Sequence, residues 1–318
     1  YTVKGLYDVM EGLVVRASMG TGFRAPGLGD LAANTSFSAA YHNDYVKCTA
    51  QGITRALCPE EQVNTYIAAN PNLGPETSES VNFGAIYTLG NHSLAIDWFS
   101  TEIDGVITSI AVQDIIDASI LGASYTATLT GQGAYCERLN GQADANLQQC
   151  FTNPINGNKF SVAGTDIKYS GLFETGVGDF DVNLGMVIMD ESKTEAFYNG
   201  PVVNYVGLTS TPEMRYSLDV GHTLQAVPNL SLSVQYEYID ALADSYTADY
   251  VAVGSVDEWT QVNLRAVYTV PGMENLRLSL ASRNLTKEDP PLNSGSEYNR
   301  LIHSNLGMSM IFGFTLDL

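Results

Sequence analysis

The sequence has no long apolar run. Although 45% of its 318 residues are hydrophobic, no uninterrupted apolar stretch approaches the ~18 residues that a membrane-spanning helix needs. This absence excludes a helical membrane protein. It does not exclude a β-barrel of the outer-membrane type, because the strands of such a barrel alternate apolar and polar residues and so contain no long apolar run.

Basic residues are scarce. The chain has 15 Lys and Arg residues against 35 Asp and Glu residues, a formal net charge of −20, and a pI near 4.3. A nucleic-acid binder needs basic patches that neutralise phosphates. The composition therefore predicts that nucleic acid is not a partner.

No catalytic or metal-binding constellation is recognisable. The sequence lacks the spacing of a nucleophile elbow, and its Gly-rich stretches lack the strand-to-helix context of a phosphate loop. The four histidines are scattered, and each is expected to be a surface histidine: His42, His92, His222 and His303. We therefore predict a protein that is not an enzyme, with no catalytic residue, no metal site and no cofactor.

The four cysteines form two local pairs, Cys48 with Cys58 and Cys136 with Cys150, in long polar segments. Neither pair has the two-residue spacing of a metal site, and no histidine accompanies them. Two loop disulfides in an oxidising compartment are the favoured interpretation. Each would close a short loop and stabilise it by about 3 kcal/mol in the chain-entropy model.

The clearest pattern is an alternation of apolar and polar residues. In the final segment, from Met308 to Leu318, every second residue is large and apolar. Residues 230–239 show the cleanest alternation, and about eleven such segments occur along the chain. A period of two predicts strands with one apolar face and one different face.

The second face of these strands carries charge. Its charged residues are Arg16, Asp97, Lys168, Glu174, Asp181, Arg215, Asp219, Glu237, Arg265 and Arg277. In a dry sandwich core each unpaired charge would cost several kcal/mol. A wet or protein-filled lumen accommodates these side chains, so the pattern favours a barrel.

Short turns and long loops alternate along the chain as connections between the predicted strands. Short turns fall near residues 11, 91, 178, 228 and 272, whereas long loops cover residues 24–75, 108–163, 191–212, 240–258 and 287–305. Short turns at one end and long loops at the other are typical of an outer-membrane barrel. Within the long loops we expect a short helix from Glu60 to Ala69, and a helix turn or packed loop from Gln113 to Leu121.

About eleven strands do not close a bacterial single-chain barrel, which has an even number. The fold class predicted is all-β, an antiparallel transmembrane β-barrel, with this chain as the C-terminal half of a barrel of ~22 strands. The chain begins at Tyr1 inside an alternating segment, so we expect a fragment of a longer protein.

Several motifs resemble those of the TonB-dependent outer-membrane receptors. They are Gly20–Pro26 at a strand end, Asn72–Ser78 at the head of the next strand, Arg283–Pro291 after the penultimate strand, and the last strand with Gly307 and Gly313. Their order along the chain is that of the family. The resemblance implies that residues 1–318 are the C-terminal part of a receptor barrel, without the plug domain.

The resemblance also implies active import in the outer membrane of a Gram-negative bacterium. The expected partners are outer-membrane lipid, the TonB complex through an N-terminal region outside this sequence, and a small-molecule or oligomeric nutrient. The nutrient would be an iron chelate, cobalamin, a glycan or a peptide, captured by the outer loops before the plug is displaced. A passive porin and a soluble secreted β-sandwich binding module remain alternatives.

The residues that contact the ligand are not identified by the sequence beyond their location in the five long loops. Loops on a rigid barrel commonly carry binding. Aromatic loop residues could stack on a sugar or a chelate, although packing of the loops against each other is the favoured role: Phe37, Tyr41, Tyr45, Tyr125, Tyr135 and Phe151.

Overall fold

The structure is a computed structural model of the chain. It describes residues 1–157, 159–195, 200–208, 210–246, 252–295 and 297–317. Parts of the predicted second, third, fourth and fifth long loops therefore lie outside the described residues, as does Leu318, the last residue of the predicted final strand.

Eleven long antiparallel strands form one sheet in which each strand pairs with its neighbours in chain order. The strands are β1 (Thr2–Met10), β2 (Leu13–Arg24), β3 (Glu76–Leu89), β4 (His92–Asp104), β5 (Phe160–Thr175), β6 (Gly178–Glu195), β7 (Met214–Leu224), β8 (Leu230–Ile239), β9 (Trp259–Thr269), β10 (Leu276–Arg283) and β11 (Ser309–Leu316). The predicted strand count and pairing pattern are thus confirmed.

Five short turns join these strands at one end of the sheet, as the alternation predicted. The turn between β1 and β2 requires glycine at position 12. Gly12 has a φ of +78°, and a Cβ atom there would lie 2.2 Å from the carbonyl oxygen of Thr88. A side chain at this position would meet both a backbone clash and an unfavourable backbone conformation.

The two faces of the sheet differ in chemistry, as two adjacent rows of paired residues show. One row runs Leu184–Leu218–Tyr236–Val262 across β6 to β9. The adjacent row, pointing to the opposite face, runs Asn183–Asp219–Gln235–Asn263. In these rows the register places the apolar residues on one face, called the outward face, and the polar residues on the other, called the inward face.

Polar side chains on the inward face bond to one another. Asn263 Nδ2 donates to Gln235 Oε1 at 3.0 Å, and Gln235 Nε2 donates to Ser217 Oγ at 3.1 Å. Arg16 of β2 pairs with Asp97 of β4 across β3, with Nε 2.7 Å from Oδ1. These contacts satisfy polar groups that a dry core would leave unpaired.

The sheet is an open barrel wall. Within the described residues, β1 pairs only with β2 and β11 pairs only with β10, so the two outer strands do not meet. The outward face carries exposed aromatic rings, including Phe312 at 76% and Phe314 at 78% exposure. An apolar face of this extent fits contact with lipid.

The long connections carry the remaining elements. The helices are α1 (Leu28–Ala32), α2 (Tyr45–Ala50), α3 (Val112–Leu121) and α4 (Ala123–Gly131), with 3-10 turns at Arg55–Leu57 and Leu139–Gly141. The short strands are Ser36–Asn43, Glu60–Ile67, Ile107–Ser109, Tyr135–Arg138, Leu147–Thr152, Pro154–Asn156, Val202–Asn204, Ser245–Tyr246 and Ala252–Val253. In the described part of the chain, no helix has the length and apolar character needed to cross a bilayer.

The structure corrects the predicted loops in three places. Glu60–Ile67 is a strand rather than a helix, because Val63 and Thr65 are buried while the residues between them face outwards with a period of two. Residues 160–163 belong to β5 and residues 191–195 to β6, so the second long loop ends earlier and the third begins later than predicted. The segment that was expected to be a helix turn or packed loop near Gln113 is the helix α3.

Candidate ligand-binding surface of the long loops

The first two long connections fold together at the end of the sheet opposite the short turns. We call residues 25–75 and 105–157 the loop module. Its centre is a four-stranded sheet in the order Ser36–Asn43, Glu60–Ile67, Leu147–Thr152 and Tyr135–Arg138. The two central strands come from different loops and pair in parallel, with Thr65 opposite Cys150. The two loops therefore depend on each other for their structure.

The module has its own core beneath one face of this sheet. Val63 and Cys150 pack there against Ile116 of α3, and a neighbouring cluster gathers around Leu129 and Ile155. Both predicted disulfides are present, Cys48 with Cys58 and Cys136 with Cys150. The sheet face that packs on α3 is thus fixed by apolar contacts and by a covalent link.

A buried ion pair joins the two loops. Arg138 of the second loop donates to both carboxylate oxygens of Asp44 in the first, with both N–O distances at 2.7 Å. The Asp44 side chain is 2% exposed and the Arg138 side chain 13% exposed. Asp44 Oδ1 also accepts from the backbone N–H of Lys47 and caps α2. A bidentate, desolvated pair of this kind fixes both position and orientation.

A second ion pair ties the base of the first loop to the barrel wall. Arg24, the last residue of β2, donates to Glu76, the first residue of β3, over 2.7 and 2.5 Å. Glu76 Oε1 also accepts from the backbone N–H of Ile107 at 2.7 Å, which attaches the base of the second loop. The two residues come from two of the motifs that resemble the receptor family, and the fold brings these motifs together.

The other face of the module sheet presents a row of aromatic rings, here called the aromatic row: Phe37, Tyr66, Phe151 and Tyr135. Each ring comes from a different strand, and the strand register places the four side by side. Successive ring centroids are 5.5, 5.4 and 4.8 Å apart. The distances fall in the range of favourable aromatic contacts.

The aromatic row is open to a ligand. Phe37 at its one end is 59% exposed and Tyr135 at its other end is 38% exposed. Polar side chains stand on the same face, including Gln149, whose Nε2 donates to Glu137 Oε2 at 2.7 Å. Flat π surfaces beside amide and carboxylate groups can stack on a planar or sugar ring and bond to its polar substituents.

The structure separates the predicted aromatic loop residues into different roles. Phe37, Tyr135 and Phe151 meet in the aromatic row, together with Tyr66, which the sequence reasoning missed because residues 60–69 were interpreted as a helix. Tyr41 is 65% exposed and lies four residues after Phe37 in the same strand, outside the aromatic row. The other two are packing residues: Tyr45 lies beneath the guanidinium of Arg55, and Tyr125 packs on the core.

Two carboxylates of α3, those of Asp114 and Asp117, are partly buried inside the module, and burial disfavours their charged forms. Burial raises the pKa of Asp114 to about 6, and the neighbouring charge of Asp117 adds to this effect. Burial also raises the pKa of Asp117, although Gln113, which donates to its Oδ2 at 3.1 Å, counteracts the shift. The neutral form of Asp114 therefore fits the folded module better than its charged form.

This environment predicts a dependence of module stability on pH. Since the folded-state pKa of Asp114 lies above its unfolded value, the contribution of Asp114 to module stability should be more favourable near pH 4 than above pH ~6. Because the side chain is partly exposed, we expect only about 1 kcal/mol of this effect after screening. Asp114→Asn should stabilise the module at neutral pH and flatten its pH dependence, measured by limited proteolysis of the loops. A variant that keeps the full pH dependence of the wild type would contradict this assignment.

Three of the four histidines lie partly exposed, as expected, whereas His303 is buried at 5% exposure. The expectation of a surface position was wrong for His303 because the final loop folds back over the inward face. Among the residues described, no group of three or more His, Cys, Asp or Glu side chains is placed to hold a metal ion.

A protein-family model described as "TonB dependent receptor-like, beta-barrel" matches residues 3–285. No curated protein matches the chain. The family match covers all strands from β1 to β10.

Solved structures share the fold over nearly the whole chain. A mutant of the ferric enterobactin receptor PfeA from Pseudomonas aeruginosa is 14% identical, with a TM-score of 0.63 and coverage of 99% of this chain and 39% of that one. The siderophore receptor PirA from Acinetobacter baumannii is 10% identical (TM-score 0.65, coverage 99% and 40%). The FrpB iron transporter from Neisseria meningitidis is 12% identical (TM-score 0.58, coverage 99% and 37%). The chain thus spans about two fifths of the length of these structures.

Proposed function

This chain belongs to the TonB-dependent receptor-like β-barrel family, and on that premise we propose that it forms the C-terminal part of a receptor barrel that actively imports a scarce nutrient. Members of this family are transporters of the Gram-negative outer membrane rather than enzymes, and the proposal assigns this chain to such a transporter. The plug domain and the segment that contacts TonB would be supplied by the remainder of the receptor.

The observation that carries the proposal is the loop module. A module with its own core, two disulfides and a buried ion pair stands on a strand wall with an apolar outward face. Such a module presents the aromatic row as a rigid surface, and a preorganised surface loses little entropy when it binds a ligand. Ligand capture at this surface would precede displacement of the plug, driven by energy that TonB relays.

An iron chelate is the nutrient that we propose first. The solved structures that share the fold include receptors named for ferric enterobactin and for siderophores, and an iron transporter. The aromatic row suits a chelate that carries aromatic rings. Cobalamin, a glycan and a peptide are the other classes to be screened on the same surface.

Uptake by whole cells tests the proposal. Cells that express the full-length receptor should accumulate a radiolabelled ferric siderophore only when TonB is functional. Accumulation that is independent of TonB would contradict active import and indicate a passive porin.

Paired variants test the surface. The double variant Phe37→Ala/Tyr135→Ala should weaken ligand binding by about tenfold, because each ring contact contributes about 0.5–1.5 kcal/mol. Phe173→Ala removes a ring of intermediate exposure (43%) at the short-turn end of β5 and serves as the matched control. Equal affinities of the two variants would remove the aromatic row from the ligand site.

A further inference from the structure

A groove crosses the outward face of the barrel wall at its first strands. It has a volume of about 940 Å³, and its lining residues come from β1 to β5. Gly5 of β1 pairs with Ala17 of β2 in one row, and Ala85 of β3 lies in the next row towards the short turns. Because these neighbouring side chains are small, the backbone beneath them is uncovered. Three residues of the inward row contribute to the floor through their backbone: Leu6, Arg16 and Gly84.

Larger side chains form the walls of this groove. On one side Phe83 of β3 packs against Trp98 of β4, with ring centroids 5.0 Å apart. Tyr7 of β1 stands on the other side, and Val15 and Ile96 lie between the two walls. None of the lining residues that point outwards carries a charge. The groove is therefore a recessed apolar surface on the face of the sheet that fits contact with lipid.

The position of the groove along the strands places it in one half of the bilayer. Val15 and Ala17 lie two and four residues beyond Leu13, the first residue of β2 after its short turn. At a strand tilt of about 45° these positions are roughly 5 and 10 Å further from the short turns. The apolar band of such barrels is about 25 Å tall, and their short turns face the periplasm. The groove thus lies at the depth of the acyl chains of the periplasmic leaflet.

Polar rings border the groove on its short-turn side. Tyr87 and Tyr169 flank Leu94 in the next row of the outward face, and His92 lies one row further towards the turns. His92 Nδ1 and the Tyr169 hydroxyl form a hydrogen bond of 2.9 Å. Rings with an apolar body and a polar tip are enriched where membrane meets water. An apolar groove with such a border matches a molecule that has an apolar chain and a polar head.

We propose that this groove binds one acyl chain of a phospholipid from the periplasmic leaflet, with the headgroup beside His92 and Tyr169. A chain that lies over Gly5 and Ala17 and against the ring of Trp98 makes more close contacts than a chain on a flat strand surface, and each contact adds dispersion energy. This lipid would be held longer than the other lipids around the barrel. The inference concerns only the membrane face and is independent of which nutrient is imported.

Quenching of Trp98 fluorescence by bromine measures occupancy of the groove. The full-length receptor, purified in detergent, is titrated with phosphatidylethanolamine brominated in its acyl chains, and the unbrominated lipid is the control. The contribution of Trp98 is the difference between the wild type and Trp98→Phe. The other tryptophan of this chain, Trp259, is buried on the inward face. We expect quenching of Trp98 that saturates at a single lipid per receptor.

Variants that fill the groove test its role. Ala17→Leu should weaken the apparent affinity for the lipid by about tenfold, because the leucine side chain occupies the floor. Gly5→Leu should act in the same way, and a Cβ atom at position 5 would have no heavy atom within 4 Å beyond its chain neighbours. Ala266→Leu is the matched control, since Ala266 lies on the outward face of β9 outside the groove; its effect should stay within about twofold.

Three results would overturn the inference. The first is quenching that rises without saturation and equally in Ala17→Leu and Ala266→Leu, which would indicate ordinary contact with surrounding lipid. The second is displacement of the brominated lipid by an equal concentration of lipopolysaccharide, which would assign the groove to a lipid of the other leaflet. The third is a receptor dimer in detergent that dissociates in Ala17→Leu, which would assign the groove to a second copy of the protein.

Discussion

Replacing Asp44 by asparagine is expected to lower the free energy of opening the loop module by about 3–5 kcal/mol, because it leaves Arg138 charged and unpaired in a desolvated setting. The Arg138 side chain is 13% exposed; it donates to both carboxylate oxygens of Asp44 at 2.7 Å and to the carbonyl oxygen of Ala145 at 3.1 Å, which does not neutralise its charge. Asparagine keeps an oxygen that can cap α2, so the loss reports on the ion pair rather than on the helix cap.

Hydrogen exchange of the intact receptor measures this effect. In Asp44→Asn, amides of the strands Ser36–Asn43 and Tyr135–Arg138 should exchange much faster, while amides of β7 and β8 should be unchanged. Lys159→Gln is the matched control, since Lys159 and its partner Glu102 are 50% and 44% exposed; an exposed pair of this kind contributes about 0–1 kcal/mol. Adding Arg138→Met to Asp44→Asn should restore part of the stability, because it removes the uncompensated charge. Unchanged exchange in Asp44→Asn would mean that the pair does not hold the loops together.

Removing the disulfide between Cys136 and Cys150 is the second large effect that we expect. The bond closes a loop with a sequence separation of 14 residues, for which the chain-entropy model gives about 3 kcal/mol. Cys150 is fully buried and lies opposite Thr65 in the parallel pair of central strands. Cys136→Ala/Cys150→Ala should therefore destabilise both loops at once, even though both cysteines belong to the second.

The other disulfide provides the comparison. Cys48 and Cys58 close a loop with a sequence separation of 10 residues inside the first loop. Cys48→Ala/Cys58→Ala should loosen α2 and the residues up to 58 while leaving the second loop protected. Thermal unfolding followed by peptide-resolved hydrogen exchange distinguishes the two patterns. If both double variants loosened only their own loops, the two loops would not form one cooperative unit.

The barrel wall could be predicted from the sequence because its signals are local. Alternation assigns a face to each residue within a strand, and a turn such as that at Gly12 fixes the pairing of its two neighbours. The predicted order of short turns and long loops holds throughout the described residues. The pairing of the cysteines could also be predicted, since both disulfides close short segments.

The candidate site could not be predicted because its contacts are distant in sequence. Tyr66 meets Phe151 only because Glu60–Ile67 pairs in parallel with a strand of another loop. The alternation of Val63, Thr65 and Ile67, all β-branched, was a local sign of a strand. His303 carried no such sign, since its burial depends on how the final loop returns to Trp259.

The parallel pairing within the loop module also determines when it can form. Thr65 pairs with Cys150, and the chain between these two residues includes the hairpin of β3 and β4 and the helices α3 and α4. Contacts between residues so far apart form late, because the closure entropy is lost before the contact compensates for it. Assembly should thus proceed from hairpins to wall and then to module, so that a receptor arrested early in biogenesis would have a barrel wall but no aromatic row.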